Sequence, residues 1–314
     1  MSGLNPPQLE AVAYVDGPLL VLAGAGSGKT KVITEKVAHL IHSGQMAAEH
    51  IAAITFTNKA AREMRERVGK RISKSAAEAV TVTTFHSLGL KFLQEECRQV
   101  GLRRGFSIFD SDDQQGLIKD LLPAGADKDA LYAAQGWISK MKNMALSPEQ
   151  AQEHAKSLRE KDIAALYTRY QGRLQTFNAV DFDDLIRLPL QVLESDAEAR
   201  LRWQAKLRYL LVDECQDTNG AQYRMIKALA GSRGLFTCVG DDDQSIYAWR
   251  GAQPENLDEL GRDYPALKVI KLEQNYRCSA RILRSANAVI ANNPHAPLKK
   301  LWSQHGEGAP IRIW

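Results

Sequence analysis

No apolar run in this 314-residue sequence approaches the ~20 residues that a membrane-spanning helix needs. The first residues lack the basic-then-apolar pattern of a secretory signal, so a cytoplasmic location is expected. Cysteine is scarce. Cys97, Cys215, Cys238 and Cys278 lie far apart with no CxxC spacing, which argues against a disulfide framework or a zinc site and for a reducing compartment. Charge of one sign is not in excess: 41 basic residues against 37 acidic leave +4, which permits a polyanionic partner without arguing for one. The sequence has no internal repeat and no low-complexity tract, and its length suits two domains.

What the sequence does have is chemistry gathered at the ends of short apolar runs. The first run, Pro18-Leu19-Leu20-Val21-Leu22, is short enough for a buried strand and leads into Ala23-Gly24-Ala25-Gly26-Ser27-Gly28-Lys29-Thr30. Val32, Ile33, Val37, Leu40 and Ile41 follow at helical spacing and stop at Gly44. Strand, glycine-rich loop, Lys-Thr and helix make a phosphate-binding P-loop. Glycines let backbone N–H groups curl around phosphate oxygens, and the helix adds the positive end of its dipole. Lys29 is placed to reach the β- and γ-phosphates, and the Thr30 hydroxyl to ligate Mg²⁺. The strict pattern asks for Gly where Ala23 stands, a mild departure because Gly26 and Gly28 are kept.

The next runs repeat the arrangement. Residues 51–55 read as a buried strand entering Phe56-Thr57-Asn58-Lys59 and a helix running through Lys74, with seven basic residues from 59 to 74. Such a charge run reads as a solvated helix face, while the loop 55–59, at a strand's carboxyl end, is expected to face the same crevice as the P-loop. Asn58-Lys59 superficially resembles a guanine-reading motif, but Ala61 breaks it. Residues 79–84 form a third β-branched strand ending at Phe85-His86-Ser87. From about 87 to 207 the pattern is helical throughout, with a capping box at Ser147-Pro148-Glu149-Gln150, and no strand is predicted. Strands resume at 209–212, ending in Asp213-Glu214. They continue at 235–239, ending in Gly240-Asp241-Asp242-Asp243-Gln244, and at 268–272, ending in Gln274-Asn275-Tyr276-Arg277. A helix from Ser279 to about 292 and a strand-like 309–314 complete the chain.

These residues carry specific expectations. Asp213 would hold Mg²⁺ and Glu214 would orient and deprotonate an attacking water, although paired acids also cap helices. Gln244 would sense a γ-phosphate. Tyr247 and Trp249 would stack on bases, or else form a core pair. The Gln8 amide matches adenine N6 and N7, but spacing alone does not separate it from an ordinary surface glutamine. No Leu-Ser-Gly-Gly-Gln segment is present to suggest a transporter ATPase.

The P-loop, Asp-Glu-x-Gln at 213–216, Gly-Asp-x-x-Gln at 240–244 and Gln-x-x-Arg at 274–277 occur in that order behind a Leu-Asn-x-x-Gln opening at 4–8. Together they resemble superfamily 1A DNA helicases of the UvrD/Rep type over essentially the whole chain. The resemblance implies an α/β fold: a RecA-like P-loop lobe, with a parallel sheet and helices on both faces, and an inserted all-helical subdomain. The implied boundaries are 1–86 and 207–277 for the lobe (1A), 87–206 for the insertion (1B) and 278–314 for the start of a truncated second lobe (2A). The implied cofactors are ATP and Mg²⁺. Gln8, Gly24 through Lys31 (Gly24, Ala25, Gly26, Ser27, Gly28, Lys29, Thr30, Lys31) and Tyr276 would bind nucleotide. Lys29, Asp213, Glu214, Gln244 and Arg277, the last an arginine finger, would be catalytic. Thr55, Phe56, Thr57, Asn58, Lys59, Thr84, Phe85, His86, Tyr247, Trp249 and Arg250 would touch DNA.

The implied function is a 3′→5′ ATP-dependent helicase and translocase on single-stranded DNA. The alternative is a nucleotide- and DNA-binding fragment without motor activity, because relatives continue into a second lobe past the position of Trp314. Implied partners are single-stranded DNA and its junctions with duplex, with replication or repair proteins and self-association also compatible, and no membrane. Two positions depart from the pattern. Cys215 stands where Tyr is usual, which touches packing, and Lys31 stands where Arg is common, which removes a flat guanidinium face.

Overall fold

Among the described residues, eight runs become strands. The computed structural model describes residues 3–247, 251–253, 255–292 and 299–312. In chain order the strands are β1 (Leu19–Ala23), β2 (Ile51–Thr55), β3 (Thr81–Thr84), β4 (Ser107–Phe109), β5 (Ala179–Asp181), β6 (Tyr209–Val212), β7 (Phe236–Gly240) and β8 (Lys268–Leu272). Six of them form one sheet in the order β3-β2-β6-β7-β1-β8, with every pairing parallel. The four inner strands are buried at every position, as a sheet covered by helices on both faces requires. The edge strand β3 alternates buried and half-buried residues, and β8, at the other edge, is only partly buried. The fold is thus an α/β lobe of RecA-like type. No helix among the described residues is long and apolar enough to cross a membrane.

The chain divides into two compact units. The first comprises Met1–Thr84, Ala205–Thr218 and Ala230–Trp314 and holds the six-stranded sheet. The helix Lys29–His42 buries Val32, Ile33, Val37 and Leu40 in a core shared with Leu19, Val21, Met64, Val68 and Leu211. Registers of Ala23 with Leu272, Leu22 with Gly240, and Val212 with Cys238 bring the carboxyl ends of β1, β8, β7 and β6 to one edge. Residues 24–30, 213–214, 241–244 and 273–277 therefore leave the sheet on the same side.

The second unit, Phe85–Gln204 with Asn219–Leu229, is mainly helical. Capping boxes start three of its helices: Asp110 before Ser111–Leu121, Ser147 before Pro148–His154, and Ser157 before Leu158–Thr176. Its core packs Leu117, Ile138, Met141, Tyr167, Tyr170 and Leu174. Charge is buried inside it as well. Lys142, fully buried, lies 2.6 Å from Asp181 and 2.9 Å from Asp184, and Arg187 meets Asp184 at 3.0 Å. The Tyr170 hydroxyl donates to Asp181 at 2.9 Å.

Three expectations about elements change. The helical unit contains a two-stranded parallel sheet, β4 with β5, although the sequence predicts no strand between 87 and 207. Three residues per strand are too few for a period to show. The basic helix does not run through Lys74. It ends at Gly69, and Ser73 caps a second helix, Lys74–Ala79, by accepting the Ala76 N–H, so β3 begins only at Thr81. Residues 309–312 form no strand and are exposed; among them Pro310 has no N–H to pair.

Candidate nucleotide-binding cleft

The loop after β1 wraps an open cleft of about 620 Å³, lined by Ala25, Gly26, Gly28, Lys29, Thr30, Lys31, Arg67, Glu214, Gln244, Tyr276 and Arg277. Gly26 and Gly28 take φ of 73° and 89°, the left-handed region where a side chain is strained, so the loop needs glycine at those two places. Ala23 needs none, because it is the last residue of β1 and pairs with Leu272. The Ser27 hydroxyl donates to the Gly24 carbonyl at 2.7 Å and closes the loop on itself. The segment after β8 holds the loop from outside. Asn275 donates to the Ala25 carbonyl at 2.5 Å, and the Tyr276 N–H donates to the Gly26 carbonyl at 2.9 Å. Asn275 Oδ1 also accepts the N–H groups of Arg277 and Cys278, which fixes the turn that aims Arg277.

The acids after β6 are unequal. Asp213 is 6% exposed, and burial, reinforced by the Glu214 charge, pushes its carboxyl up to about 6. The same two causes push Asp217 up to about 6. Glu214 is half-exposed and takes φ 50°, ψ 44°, a left-handed conformation that costs a non-glycine residue about 1 kcal/mol. Three contacts hold it there. Lys29 Nζ meets its Oε2 at 2.7 Å, Gln216 Nε2 donates to the same oxygen at 3.0 Å, and its N–H donates to Asp213 at 3.1 Å. Cys215, where Tyr is usual, is fully buried, and its thiol together with burial holds the Cys238 thiol of β7 well above its ordinary range.

Gln8 is not among the residues that line the cleft. It is 1% exposed and forms a capping box with Asn5 at the start of the helix Pro6–Ala13. Its Oε1 accepts the Asn5 N–H at 3.1 Å, and its Nε2 donates to the Ser27 carbonyl at 2.8 Å. Gln8 thus braces the P-loop from behind. Lys36, fully buried, ties the other end of that helix to the P-loop helix through the Ala11 and Tyr14 carbonyls. Lys31 donates to the Gly3 carbonyl at 2.5 Å while lining the cleft.

The residues expected to touch DNA fall into both units. Thr57, Asn58 and Lys59 are exposed after β2, Phe56 is half-buried and Tyr247 is exposed, all in the first unit. Thr55 and Thr84 are buried at strand ends, and Phe85 is buried in the second unit, so their side chains serve packing rather than solvent. His86 is half-buried, and burial lowers its imidazole pKa. Trp249 and Arg250 lie outside the described residues.

Two residues escape sequence reasoning. Arg67 lines the cleft, but the sequence offers it as one of seven basic residues on a run. Phe182 is 52% exposed, with its ring 6.0 Å from that of His86 in an edge-on arrangement. An aromatic between Asp181 and Asp183 in a helical stretch carries no sequence signal of exposure.

The cleft has the parts of a nucleotide site, and sequence comparison agrees. The chain is 53% identical over 312 residues to the ATP-dependent DNA helicase Rep of Escherichia coli, covering 99% of this chain and 46% of that protein. It is 52% identical to the Rep of Salmonella typhimurium, again covering 99% and 46%. To the ATP-dependent DNA helicase PcrA of Bacillus subtilis it is 44% identical over 320 residues, covering 100% and 43%. The chain therefore spans about half the length of the curated relatives it matches. The UvrD/REP helicase N-terminal domain matches residues 4–265, which is most of the sequence, and by that match the chain belongs to the UvrD/Rep helicase family.

Proposed function

We propose that this chain is the first motor lobe of an ATP-dependent DNA helicase that moves 3′→5′ along single-stranded DNA. The observation that carries the reading is the cleft itself, where the P-loop, Glu214, Gln244 and Arg277 line one cavity of about 620 Å³. Lys29 and the backbone N–H groups of 24–30 bind the phosphates, and Tyr276, 46% exposed at the cleft wall, stacks on the base. Phosphates entering the cleft compete with Glu214 for Lys29. That exchange frees the Glu214 carboxylate to orient and deprotonate water, so catalysis is coupled to nucleotide entry. Arg277, Arg67 and Gln244 face the phosphate end as charge stabilisers and sensor.

Oxygen donors from Thr30 and the buried Asp213 suit Mg²⁺, because a carboxyl raised to about 6 by burial gains most from a nearby cation. When bound, that ion neutralises charge on the phosphates. Gln8 reads adenine directly only if its amide leaves the Ser27 carbonyl. In the geometry described it orders the loop.

Single-stranded DNA is the proposed partner. In the first unit Thr57, Asn58, Lys59, Tyr247, Trp249 and Arg250 supply backbone and stacking contacts, and in the second unit His86 and Phe182 supply contacts of their own. Junctions with duplex, replication or repair proteins, and self-association belong to the same proposal, as does a cytoplasmic location. The domain reading is retained with it: 1A at 1–86 and 207–277, 1B at 87–206, and the start of 2A at 278–314. The second reading is nucleotide and single-stranded DNA binding without motor activity, which absent turnover in a chain that binds both would favour.

Titration with fluorescent ATP and GTP tests the site. Lys29→Ala should abolish measurable binding. Equal affinity for both nucleotides would remove base reading by Gln8, and full affinity in Lys29→Ala would overturn the cleft assignment.

A further inference from the structure

Residues 299–302 touch three separate loops of the cleft. The Leu301 side chain packs so closely on Gly24 of the P-loop that a Cβ there would meet it at 2.3 Å. Trp302 is bridged to Gln274. Its N–H donates to the Glu273 carbonyl at 3.0 Å, and its carbonyl accepts the Asn275 N–H at 2.8 Å. Lys299, 9% exposed, puts its ammonium 2.5 Å from Asp241 and 3.3 Å from Asp243, and bonds Asp242 as well. Burial works against that charge, but the carboxylates outweigh it and hold the ammonium above its ordinary range.

Asp241 is the branch point. It is 3% exposed. One carboxylate oxygen takes Lys299; the other accepts Gln244 Nε2. Its N–H donates to Gln216 Oε1 at 3.0 Å, Gln216 Nε2 donates to Glu214 at 3.0 Å, and Glu214 pairs with Lys29 at 2.7 Å. A continuous chain of polar contacts therefore runs from Lys299 to the P-loop lysine, with Gln244 as a side branch. Without Lys299, three acids whose oxygens lie within 4.8 Å of one another would repel, and, among the described residues, only the Asp243 N–H, 3.3 Å from Asp241 Oδ1, would remain to hold the orientation that bonds Gln244.

We infer that Lys299 is a positioning residue for triphosphate recognition: by fixing Asp241 it aims Gln244 at the γ-phosphate end of the cleft, and 300–302 strap the adjoining loops to the same segment. The inference rests on the nucleotide reading above and names a residue that reading did not use. It also makes the γ-phosphate sensor answer to whatever moves the 299–302 segment.

The test uses the 314-residue chain with Mg²⁺, fluorescent ADP and a non-hydrolysable ATP analogue, and a melting temperature for each variant. Lys299→Met should cut the preference for triphosphate over diphosphate about tenfold, the scale of one lost hydrogen bond to a charged group, with ADP affinity kept. Lys299→Arg should restore the preference. In a Gln244→Ala background, Lys299→Met should change it no further. A structural role alone would weaken both nucleotides equally, and that result overturns the inference. So does an undiminished effect in the Gln244→Ala background. If Lys299→Met does not fold, Lys299→Gln combined with Asp242→Asn removes the ammonium and one opposing charge, and the same ratio decides. Wild-type chain that binds neither nucleotide would overturn the nucleotide reading itself, a failure distinct from an unchanged ratio.

Discussion

Replacing Asp213 by asparagine should stabilise the nucleotide-free chain while destroying its site. The carboxyl is buried at 6% exposure beside a second acid, and its pKa rises from 3.8 to about 6. About two units at 1.36 kcal/mol each set a ceiling near 3 kcal/mol. The sign follows from proton binding. Between pH 4 and 6 the folded chain keeps a proton that the unfolded chain has released, so stability falls as pH rises through that window, and the full penalty stands above it. The substituted amide carries no charge to desolvate and keeps an oxygen for the Glu214 N–H, which the Asp213 carboxylate accepts in the native chain. At pH 7.5 the variant should be about 1–3 kcal/mol more stable, or several degrees in Tm for a unit of this size. Near pH 4 the difference should vanish. The assay is thermal melting of both proteins from pH 4 to 8, without nucleotide or divalent cation. Asp213→Asn that is less stable at pH 7.5, or a gap that does not close toward pH 4, would refute the argument that burial strains this carboxylate.

Other outcomes follow from the same geometry. Lys142→Met should destabilise the helical unit by about 3–5 kcal/mol, because it leaves Asp181 a buried charge without a cation, while Asp184 keeps Arg187; far-ultraviolet circular dichroism on heating measures it. Phe182→Ala should weaken single-stranded oligonucleotide binding by roughly tenfold, the value of one base stacked on an aromatic, with melting unchanged because the ring is exposed. The 314-residue chain, which spans 46% of the length of its Rep relatives, should bind ATP but turn it over slowly and unwind no duplex, since phosphoryl transfer rests on positioned charge and an arginine finger alone is worth about 10³–10⁵ in rate. DNA-stimulated ATPase activity that Glu214→Gln abolishes would contradict that.

The sheet is easier to read than the helices. Ile51–Thr55 and Tyr209–Val212 emerge with the boundaries their sequences predict, because short apolar runs have few ways to be buried except as strands of a covered parallel sheet, and the edge strand Lys268–Leu272 keeps its predicted bounds as well. The three-residue strands β4 and β5 have no such signature. The basic run 59–74 misleads for a different reason: charge says nothing about where a helix stops, whereas Ser73 as a cap does.

The cleft is legible for one reason and opaque for another. Residues that must sit at a strand's carboxyl end are marked by the apolar run before them, which is how Lys29, Glu214, Gln244 and Arg277 can be named from sequence alone. Residues that support them carry no such mark. The amide chemistry of Gln8 suggests a base contact, while the Asn-Pro-Pro-Gln capping signal that buries that amide stands in the same few residues. Arg67 depends on helix rotation, and Lys299 on a segment 58 positions from its partner Asp241. The difference is physical. A P-loop is a local conformation enforced by glycine, whereas the orientation of Gln244 is fixed by a buried charge that arrives from elsewhere in the chain. Local conformations leave patterns in sequence; long-range charge pairing leaves only a lysine among lysines.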